Sequence, residues 1–127
     1  MKKVLLFFAV FTMMALTSCM IDLDSRIDYS VADDSRTVVT FLHSPTCNYS
    51  KAAREYIEQT YPNAAIRYID IDLEGNKRYL KAAQQDYGLG SFIQTPVICF
   101  GNNHIEGWDY NKRLLLDDYI LPYLKEQ

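Results

Sequence analysis

The sequence predicts one α/β domain, a four-stranded mixed sheet flanked by three helices, with its elements in the order β-α-β-α-β-β-α. Two patterns in the 127-residue chain predict this class. Short apolar segments rich in β-branched and aromatic residues alternate with longer segments whose apolar residues recur at helical spacing. Strands joined through a helix are expected to be parallel, with a right-handed crossover, whereas the last two strands are joined by a short turn and are expected to be antiparallel.

The first strand and the first helix are predicted from a change of period near Pro45. Residues 36–42, RTVVTFL, are almost continuously apolar, which is typical of a strand covered on both faces. From Cys47 the period becomes helical, and Pro62 ends the helix. The apolar face of this helix is predicted to contain Tyr49, Ala52, Ala53, Tyr56, Ile57 and Thr60.

A second strand and a second helix follow. Residues 64–73 alternate between apolar and polar from Ile66 onward, and residues 74–76 turn the chain. The next segment has a helical period and is stopped by Gly88 and Gly90. Its apolar side is predicted to contain Tyr79, Leu80, Ala83 and Tyr87.

The last elements are a hairpin and a helix. The segment TPVICF, residues 95–100, is a short strand, and the turn GNN leads into a fourth strand within NNHIEG. Residues 111–121 have a helical pattern that Pro122 ends or kinks. This order of elements predicts a mixed sheet with helices on both faces.

The N-terminal segment has the three regions of a secretory signal peptide. Two lysines precede an apolar run over residues 4–16, and small polar residues follow. The sequence LTSC, residues 16–19, resembles the lipobox of bacterial lipoproteins. This resemblance implies cleavage before Cys19 and attachment of a lipid to Cys19. An ordinary cleaved signal peptide and a short membrane anchor are the alternatives.

Three segments are therefore expected: a signal peptide at residues 1–18, a lipidated Cys19 with a flexible tether at 19–35, and a folded domain at 36–127. Removal of the signal peptide takes away two lysines and no acidic residue, so the formal net charge moves from −3 to −5. An acidic chain without a basic run argues against binding to nucleic acid, or to anionic lipids by charge. We expect the protein in the bacterial cell envelope, lipid-anchored to a membrane and facing outside the cytoplasm.

Two cysteines, Cys47 and Cys99, would remain after lipidation of Cys19. In an oxidising compartment a structural disulfide between them is one alternative. Cys47, however, begins the first predicted helix, where the helix dipole and the first-turn N–H groups lower the pKa of a thiol and favour the reactive thiolate. Cys47 is therefore a candidate nucleophile, and an unreactive structural cysteine is the alternative. Ser50, in the same turn, either hydrogen-bonds the thiolate or is an ordinary polar residue.

Three motifs resemble those of the glutaredoxins, which have the thioredoxin fold. They are PTCNYS at residues 45–50, QTP at 94–96 and HIEGWDY at 104–110. In order and spacing they correspond to PTCPYC, Thr-Val-Pro and HIGGCDD of that family. The resemblance covers residues 36–121 and implies a thioredoxin/glutaredoxin fold.

The resemblance also implies roles for individual residues. Pro96 is expected in a cis peptide bond, with a trans proline at an edge strand as the alternative. The backbone of Thr95 is expected to pair with an extended thiol substrate beside Cys47. Trp108 and Asp109 match the segment that binds the thiol ligand in the family.

Ser50 departs from the family pattern, which has a second cysteine at this position. A second thiol attacks the mixed disulfide and releases the substrate, which a serine cannot do. Cys99 lies three strand residues beyond Pro96, up to about 10 Å away at about 3.3 Å per residue, whereas disulfides need Cα atoms within about 7 Å. We therefore place Cys99 in the sheet core and expect an external thiol to complete the reaction.

Two further departures weaken the case for glutathione as the ligand. Glu106 adds a negative charge where the family has glycine, and His43 replaces a lysine that contacts glutathione in many glutaredoxins. His43 is expected to be a solvated residue at the end of a strand, and a pH-responsive partner of Cys47 is the alternative. Glutathione is still a candidate co-substrate.

No cofactor or metal is expected to be required. Asn48 and Tyr49 depart from the CGFS pattern of monothiol glutaredoxins, which bind iron–sulfur clusters with glutathione. His43, His104 and Cys47 show no recognisable metal-ligand spacing.

The sequence favours an enzyme over a binding protein. The expected function is that of a membrane-tethered, glutaredoxin-like thiol–disulfide oxidoreductase, which acts through the single nucleophile Cys47 on protein or low-molecular-weight mixed disulfides. The competing prediction is a non-catalytic thioredoxin-fold binding module of the cell envelope, and a thiol-independent structural domain is a third.

Overall fold

The structure, a computed structural model, describes residues 27–125. This part of the chain contains four strands, four α-helices and two 3₁₀ turns. In chain order the elements are α1 Val31–Asp34, β1 Val39–His43, α2 Asn48–Thr60, β2 Ile66–Asp70, a 3₁₀ turn Glu74–Asn76, α3 Lys77–Tyr87, β3 Val97–Phe100, β4 Asn103–Glu106, α4 Tyr110–Tyr119 and a 3₁₀ turn Leu121–Tyr123.

The four strands form one mixed sheet in the order β2-β1-β3-β4. β1 runs parallel to β2, with Val39 opposite Ile66. β3 is antiparallel to β1 and also to β4, with which it forms the predicted hairpin. Apart from α1, the order of strands and helices is the predicted one, and the predicted fold class is confirmed.

The sheet separates two hydrophobic cores. On one face, α2 and α4 pack against strand residues that include Phe41 and Ile98. On the other face, α1 and α3 pack against Leu42 and Cys99. Cys99 is fully buried in the sheet core, as predicted, and within residues 27–125 both Cys99 and Cys47 are free thiols.

The buried face of α2 differs from the predicted one. Ser50, Ala53 and Ile57 are buried, whereas Tyr49 and Ala52 are exposed. The hydrophobic period predicts the helix correctly, but the predicted buried face is rotated from the observed one. The reason is that a polar residue, Ser50, occupies a buried position in the first turn. This rotation directs Tyr49 to the surface.

Residues 27–35 pack on the domain, which corrects the predicted flexible tether in this part of the chain. Val31 is fully buried in the second core. The Asp86 carboxylate of α3 accepts hydrogen bonds from the Ala32 N–H and from the Ser30 hydroxyl. A single helical turn shows no hydrophobic period, so the sequence pattern could not reveal it. The signal peptide, Cys19 and the rest of the predicted tether lie outside the described residues.

Ser35 ties this N-terminal segment to the end of the sheet opposite Cys47. Its hydroxyl donates to the Val31 carbonyl and accepts from the Gly101 N–H, and its carbonyl accepts from the Tyr123 hydroxyl. Gly101 lies in the turn between β3 and β4. Because β3 is antiparallel to β1, this turn lies near the start of β1, whereas Cys47 follows its end.

Membrane-spanning helices are absent from the described part of the chain: no helix within residues 27–125 is both long and apolar enough to cross a bilayer.

We expect the Val31→Ala variant to lower the free energy of unfolding by about 2 kcal/mol, because full burial of a valine side chain contributes roughly 1.5–3 kcal/mol. Chemical denaturation measures this change. Thr37→Ala is the matched control, since Thr37 is exposed, and it should change the same quantity by less than about 0.5 kcal/mol. Equal values for the two variants would show that residues 27–35 do not stabilise the domain.

Candidate functional site

Cys47 is the N-cap residue of α2, one position before the first helical residue. Its N–H donates to the Ser44 carbonyl (3.0 Å), and its carbonyl accepts from the Lys51 N–H (3.2 Å). The first contact closes the turn that follows β1, and the second begins the helix. The Cys47 side chain makes no capping hydrogen bond and is partly exposed. The thiol therefore lies at the positive end of the helix dipole, where solvent can reach it.

The pKa of the Cys47 thiol is lower than that of an ordinary cysteine. Partial burial alone would raise this pKa. Hydrogen bonds outweigh burial: they come from the Thr95 side chain, from the backbone N–H and the hydroxyl of Ser50, and from the backbone N–H of Tyr49. Donors of this kind stabilise the thiolate, which is the form of cysteine that attacks disulfides.

Ser50 is 2% exposed and lies directly beneath this turn. Its hydroxyl oxygen accepts a hydrogen bond from the Ser44 N–H at 3.3 Å. The Ser44 N–H uses one lone pair of the Ser50 oxygen, so the hydroxyl proton of Ser50 is free to be donated to the sulfur of Cys47. Of the two alternatives for Ser50, these contacts favour support of the thiolate over an ordinary polar residue.

Thr95 and Pro96 form the opposite side of the site. Their peptide bond is cis, as the family resemblance implies, and Pro96 is fully buried. The Thr95 carbonyl accepts a hydrogen bond from the Cys47 thiol, with 3.6 Å between sulfur and oxygen. Thr95 therefore contacts the thiol through its carbonyl and stabilises the thiolate through its side chain.

A groove with a volume of about 530 Å³ opens beside the sulfur. It brings together four of the residues predicted for the site, namely Cys47, Thr95, Trp108 and Asp109. Ser50 instead lines a smaller neighbouring cavity of about 220 Å³. The groove also has lining residues that the sequence-based prediction did not assign to the site, and these are Tyr49, Ile93, Gln94 and Gly107. Tyr49, Gln94 and Gly107 each adjoin a predicted site residue in the sequence, and this adjacency could have indicated that they line the groove.

Asp109 and Trp108 form the wall of the groove nearest to α4. Asp109 is the N-cap of α4, and its carboxylate accepts a hydrogen bond from the Lys112 N–H at 2.8 Å. The Trp108 ring packs against Tyr56 of α2, with 5.8 Å between ring centroids. These contacts hold both side chains in place at the edge of the groove.

Gln94 and Glu106 are linked across the loop next to the groove. The Gln94 N–H donates to a Glu106 carboxylate oxygen at 2.9 Å, and the Gly107 N–H donates to the Pro96 carbonyl at 2.8 Å. Gly107 has a φ of +80°, and a Cβ at this position would lie 2.7 Å from the Gln94 side-chain oxygen. Glycine is therefore required here both for its backbone conformation and for the close approach of Gln94.

His43 lies outside the groove, in the smaller cavity beside Ser50. Its ring is partly buried near Phe41 and Tyr68, at centroid distances of 6.0 and 6.3 Å. Burial lowers its pKa, and the charge of Arg54 lowers it further. His43 ends β1, as predicted, but its ring is partly buried and packed instead of solvated, and the lowered pKa favours its neutral form at physiological pH.

Residues 27–125 contain no candidate metal site. No group of three or more His, Cys, Asp or Glu side chains in that range is arranged so that it could hold a metal ion.

Comparisons with known proteins identify the fold. A scan of protein-family models and a search of curated proteins found no match to the sequence. A glutaredoxin crystal structure from Archaeoglobus fulgidus is similar, with a TM-score of 0.52 and 18% sequence identity over 70% of this chain and 92% of that chain. A buckwheat glutaredoxin–glutathione complex has a TM-score of 0.51 and 19% identity, over 73% and 83%. The domain therefore has the thioredoxin/glutaredoxin fold, as its sequence predicts.

We expect the Ser50→Ala variant to raise the pKa of Cys47, because it removes one hydrogen-bond donor from the thiolate. The rate of Cys47 alkylation by iodoacetamide, followed as a function of pH, should shift to higher pH and fall at neutral pH. Thr46→Ala is the control, since the Thr46 hydroxyl contacts Ser44 instead of the sulfur. The same profile in the wild type and in Ser50→Ala would contradict this role of Ser50.

We expect the Gly107→Ala variant to lower the free energy of unfolding by about 2 kcal/mol, the cost of a strained backbone conformation, and to displace Gln94. Gly75→Ala is the matched control, because no atom lies within 4 Å of the position of its added Cβ and its φ is not positive. Thermal or chemical denaturation compares the two. The prediction fails if Gly107→Ala is as stable as Gly75→Ala.

Proposed function

We propose that this protein is a thiol–disulfide oxidoreductase that acts through one thiol, that of Cys47, on protein or low-molecular-weight mixed disulfides. The observation that carries the proposal is the environment of the sulfur. It lies at the N-terminus of α2, opens into a groove, and has hydrogen-bond donors that lower its pKa. These are the conditions under which a cysteine is a nucleophile at neutral pH.

The first step is attack of the Cys47 thiolate on a disulfide R–S–S–R′. A new bond forms between the Cys47 sulfur and the R sulfur, the S–S bond of the substrate breaks, and R′–S⁻ leaves and takes a proton from solvent. Thr95 lies against the same sulfur and lines the groove, so its backbone is the edge along which an extended substrate would lie.

The second step requires a thiol from outside the chain. An external thiolate R″–S⁻ attacks the substrate sulfur of the mixed disulfide, forms R–S–S–R″ and releases the Cys47 thiolate. Ser50 has no sulfur for this step. Cys99 is fully buried, and burial raises the pKa of its thiol to about 12, so it stays protonated and inaccessible.

The comparison with the buckwheat complex supports a thiol ligand for the groove, because that glutaredoxin binds glutathione and has the same fold. For this protein we accordingly propose a protein thiol or a glutathione-like thiol as partner, with glutathione as a candidate co-substrate.

We further propose that the chain is attached to a membrane of the bacterial cell envelope through a lipid on Cys19. The lipobox-like sequence LTSC supports this proposal. The segment at residues 27–35 packs along α3 through Ile27 and Ala32, and Ser35 at its end is bonded to Gly101. A lipid on Cys19 would therefore be joined to the domain through a segment that packs on the same face of the sheet as α3.

We expect the Cys47→Ser variant to abolish disulfide exchange, and Cys99→Ala to retain at least about half of the wild-type rate. Of the two cysteines within residues 27–125, Cys47 lines the groove and Cys99 is buried. The reaction is followed as reduction of a mixed disulfide by an excess of a small thiol. The rate should fall as the pH is lowered through the pKa of Cys47, since protonation removes the thiolate.

Trapping of mixed disulfides in cells distinguishes an exchange enzyme from a binding module. Acid quenching of cells that express the tagged protein should give mixed disulfides with the wild type and none with Cys47→Ser. If wild-type protein forms no mixed disulfide and Cys47→Ala retains full function, the protein is a non-catalytic binding module instead.

A further inference from the structure

The groove beside Cys47 is lined without a positive charge. Of its lining residues, only Asp109 and Cys47 can carry a charge, and both charges are negative. Glu106 adds a carboxylate next to the lining residue Gly107. Two cations of α4 contact other groups: Lys112 donates to the backbone carbonyl of Glu106, and Arg113 packs over the rings of two tyrosines. A ligand carboxylate that entered the groove would therefore meet like charges without a lysine or arginine among the lining residues.

Two backbone donors among the lining residues, the N–H groups of Gln94 and Gly107, are also occupied. The Gln94 N–H is bound to the Glu106 carboxylate, and the Gly107 N–H is bound to the Pro96 carbonyl. The Gln94 side chain covers Gly107 closely enough to exclude a Cβ there. A carboxylate of a small thiol would have to displace Glu106 from Gln94 to reach this N–H. Glu106 therefore supplies an internal carboxylate to the Gln94 N–H, so that this donor is not free for the carboxylate of a ligand.

Three exposed aromatic residues either line the groove or adjoin a lining residue in the sequence, and we call them the aromatic rim: Tyr49, Phe92 and Tyr110. They are 63%, 97% and 65% exposed. Tyr49 lines the groove, Phe92 precedes the lining residue Ile93, and Tyr110 follows Asp109. Aromatic residues are enriched at surfaces that bind another polypeptide, where they are covered on binding.

We propose that the groove selects disulfides of extended polypeptides, with uncharged or basic apolar-rich sequence beside the cysteine, and that Glu106 disfavours glutathione. Glutathione carries two carboxylates and one ammonium group, and it is too small to cover the aromatic rim. Phe92 is the rim residue that a longer peptide would cover and that glutathione would leave exposed. This inference depends on the proposed exchange at Cys47 and names the substrate class for it.

The test measures one turnover with two activated disulfides that share a leaving group. One is glutathione and the other is a blocked, neutral pentapeptide with phenylalanine next to its cysteine, each joined through its sulfur to 2-thiopyridine. The Cys47 thiolate forms a disulfide with the glutathione or peptide sulfur and releases thiopyridone, whose absorbance reports the rate. Each rate is divided by that of free cysteine with the same compound, which corrects for intrinsic reactivity.

The wild type should react at least about tenfold faster with the peptide than with the glutathione compound. Glu106→Gln keeps an acceptor for the Gln94 N–H but removes the charge. It should raise the glutathione rate about fivefold and change the peptide rate less than twofold. Glu55→Gln is the matched control, because it removes the same charge from an exposed site two turns along α2, and it should change neither rate by more than twofold. Added salt should raise the wild-type glutathione rate by a larger factor than that of Glu106→Gln, which keeps the negative charges of Asp109 and Cys47 but lacks that of Glu106.

A second variant tests the aromatic rim. Phe92→Ala should lower the peptide rate about fivefold and leave the glutathione rate within twofold. Equal corrected rates for the two compounds in the wild type would overturn the selectivity, as would a Glu106→Gln variant that reacts no faster with glutathione. If the wild type reacts with neither compound faster than free cysteine does, the proposed exchange fails as well, and the inference fails with it.

Discussion

The hydrogen bond from the Ser44 N–H to the Ser50 hydroxyl is the contact on which the site depends. It holds the turn after β1 against the first turn of α2 and thereby sets Cys47 at the N-cap. It also leaves the hydroxyl proton of Ser50 for the sulfur. Together with Thr95 on the other side, this arrangement lowers the pKa of a thiol that partial burial alone would raise. A cysteine without these donors would be mostly protonated at neutral pH.

The fold and the centre of the site could be predicted because their signals are local. Strand and helix periods determine the order of the elements, and Cys47, Thr95 and Pro96 stand at the ends of elements that the sheet topology brings together. Tertiary contacts decide the remaining features. The face of α2 was misplaced because the buried Ser50 is polar, and the packing of Val31 was missed because one helical turn has no period.

The loop residues next to the groove show the same limit on sequence reasoning. No sequence pattern identifies Gln94 as a residue of the site. In the structure, however, its N–H donates to Glu106 and its side chain covers Gly107. The sequence shows that Glu106 replaces a glycine of the glutaredoxin pattern, but it does not show that Glu106 accepts a hydrogen bond from Gln94. In the proposed exchange, Ser50 has no sulfur and leaves the second step to an external thiol, and Glu106 affects which thiol ligands can enter the groove.

The pH titration of the Cys47 thiolate tests the central claim most directly. Ultraviolet absorbance of the thiolate, measured in a variant with both Cys19→Ala and Cys99→Ala, reports Cys47 alone among the three cysteines. The account predicts a pKa below that of a free cysteine thiol, because the donors at the N-terminus of α2 stabilise the anion. A pKa at or above that of free cysteine would contradict it, since Cys47 would then lack the nucleophile on which the proposed exchange depends.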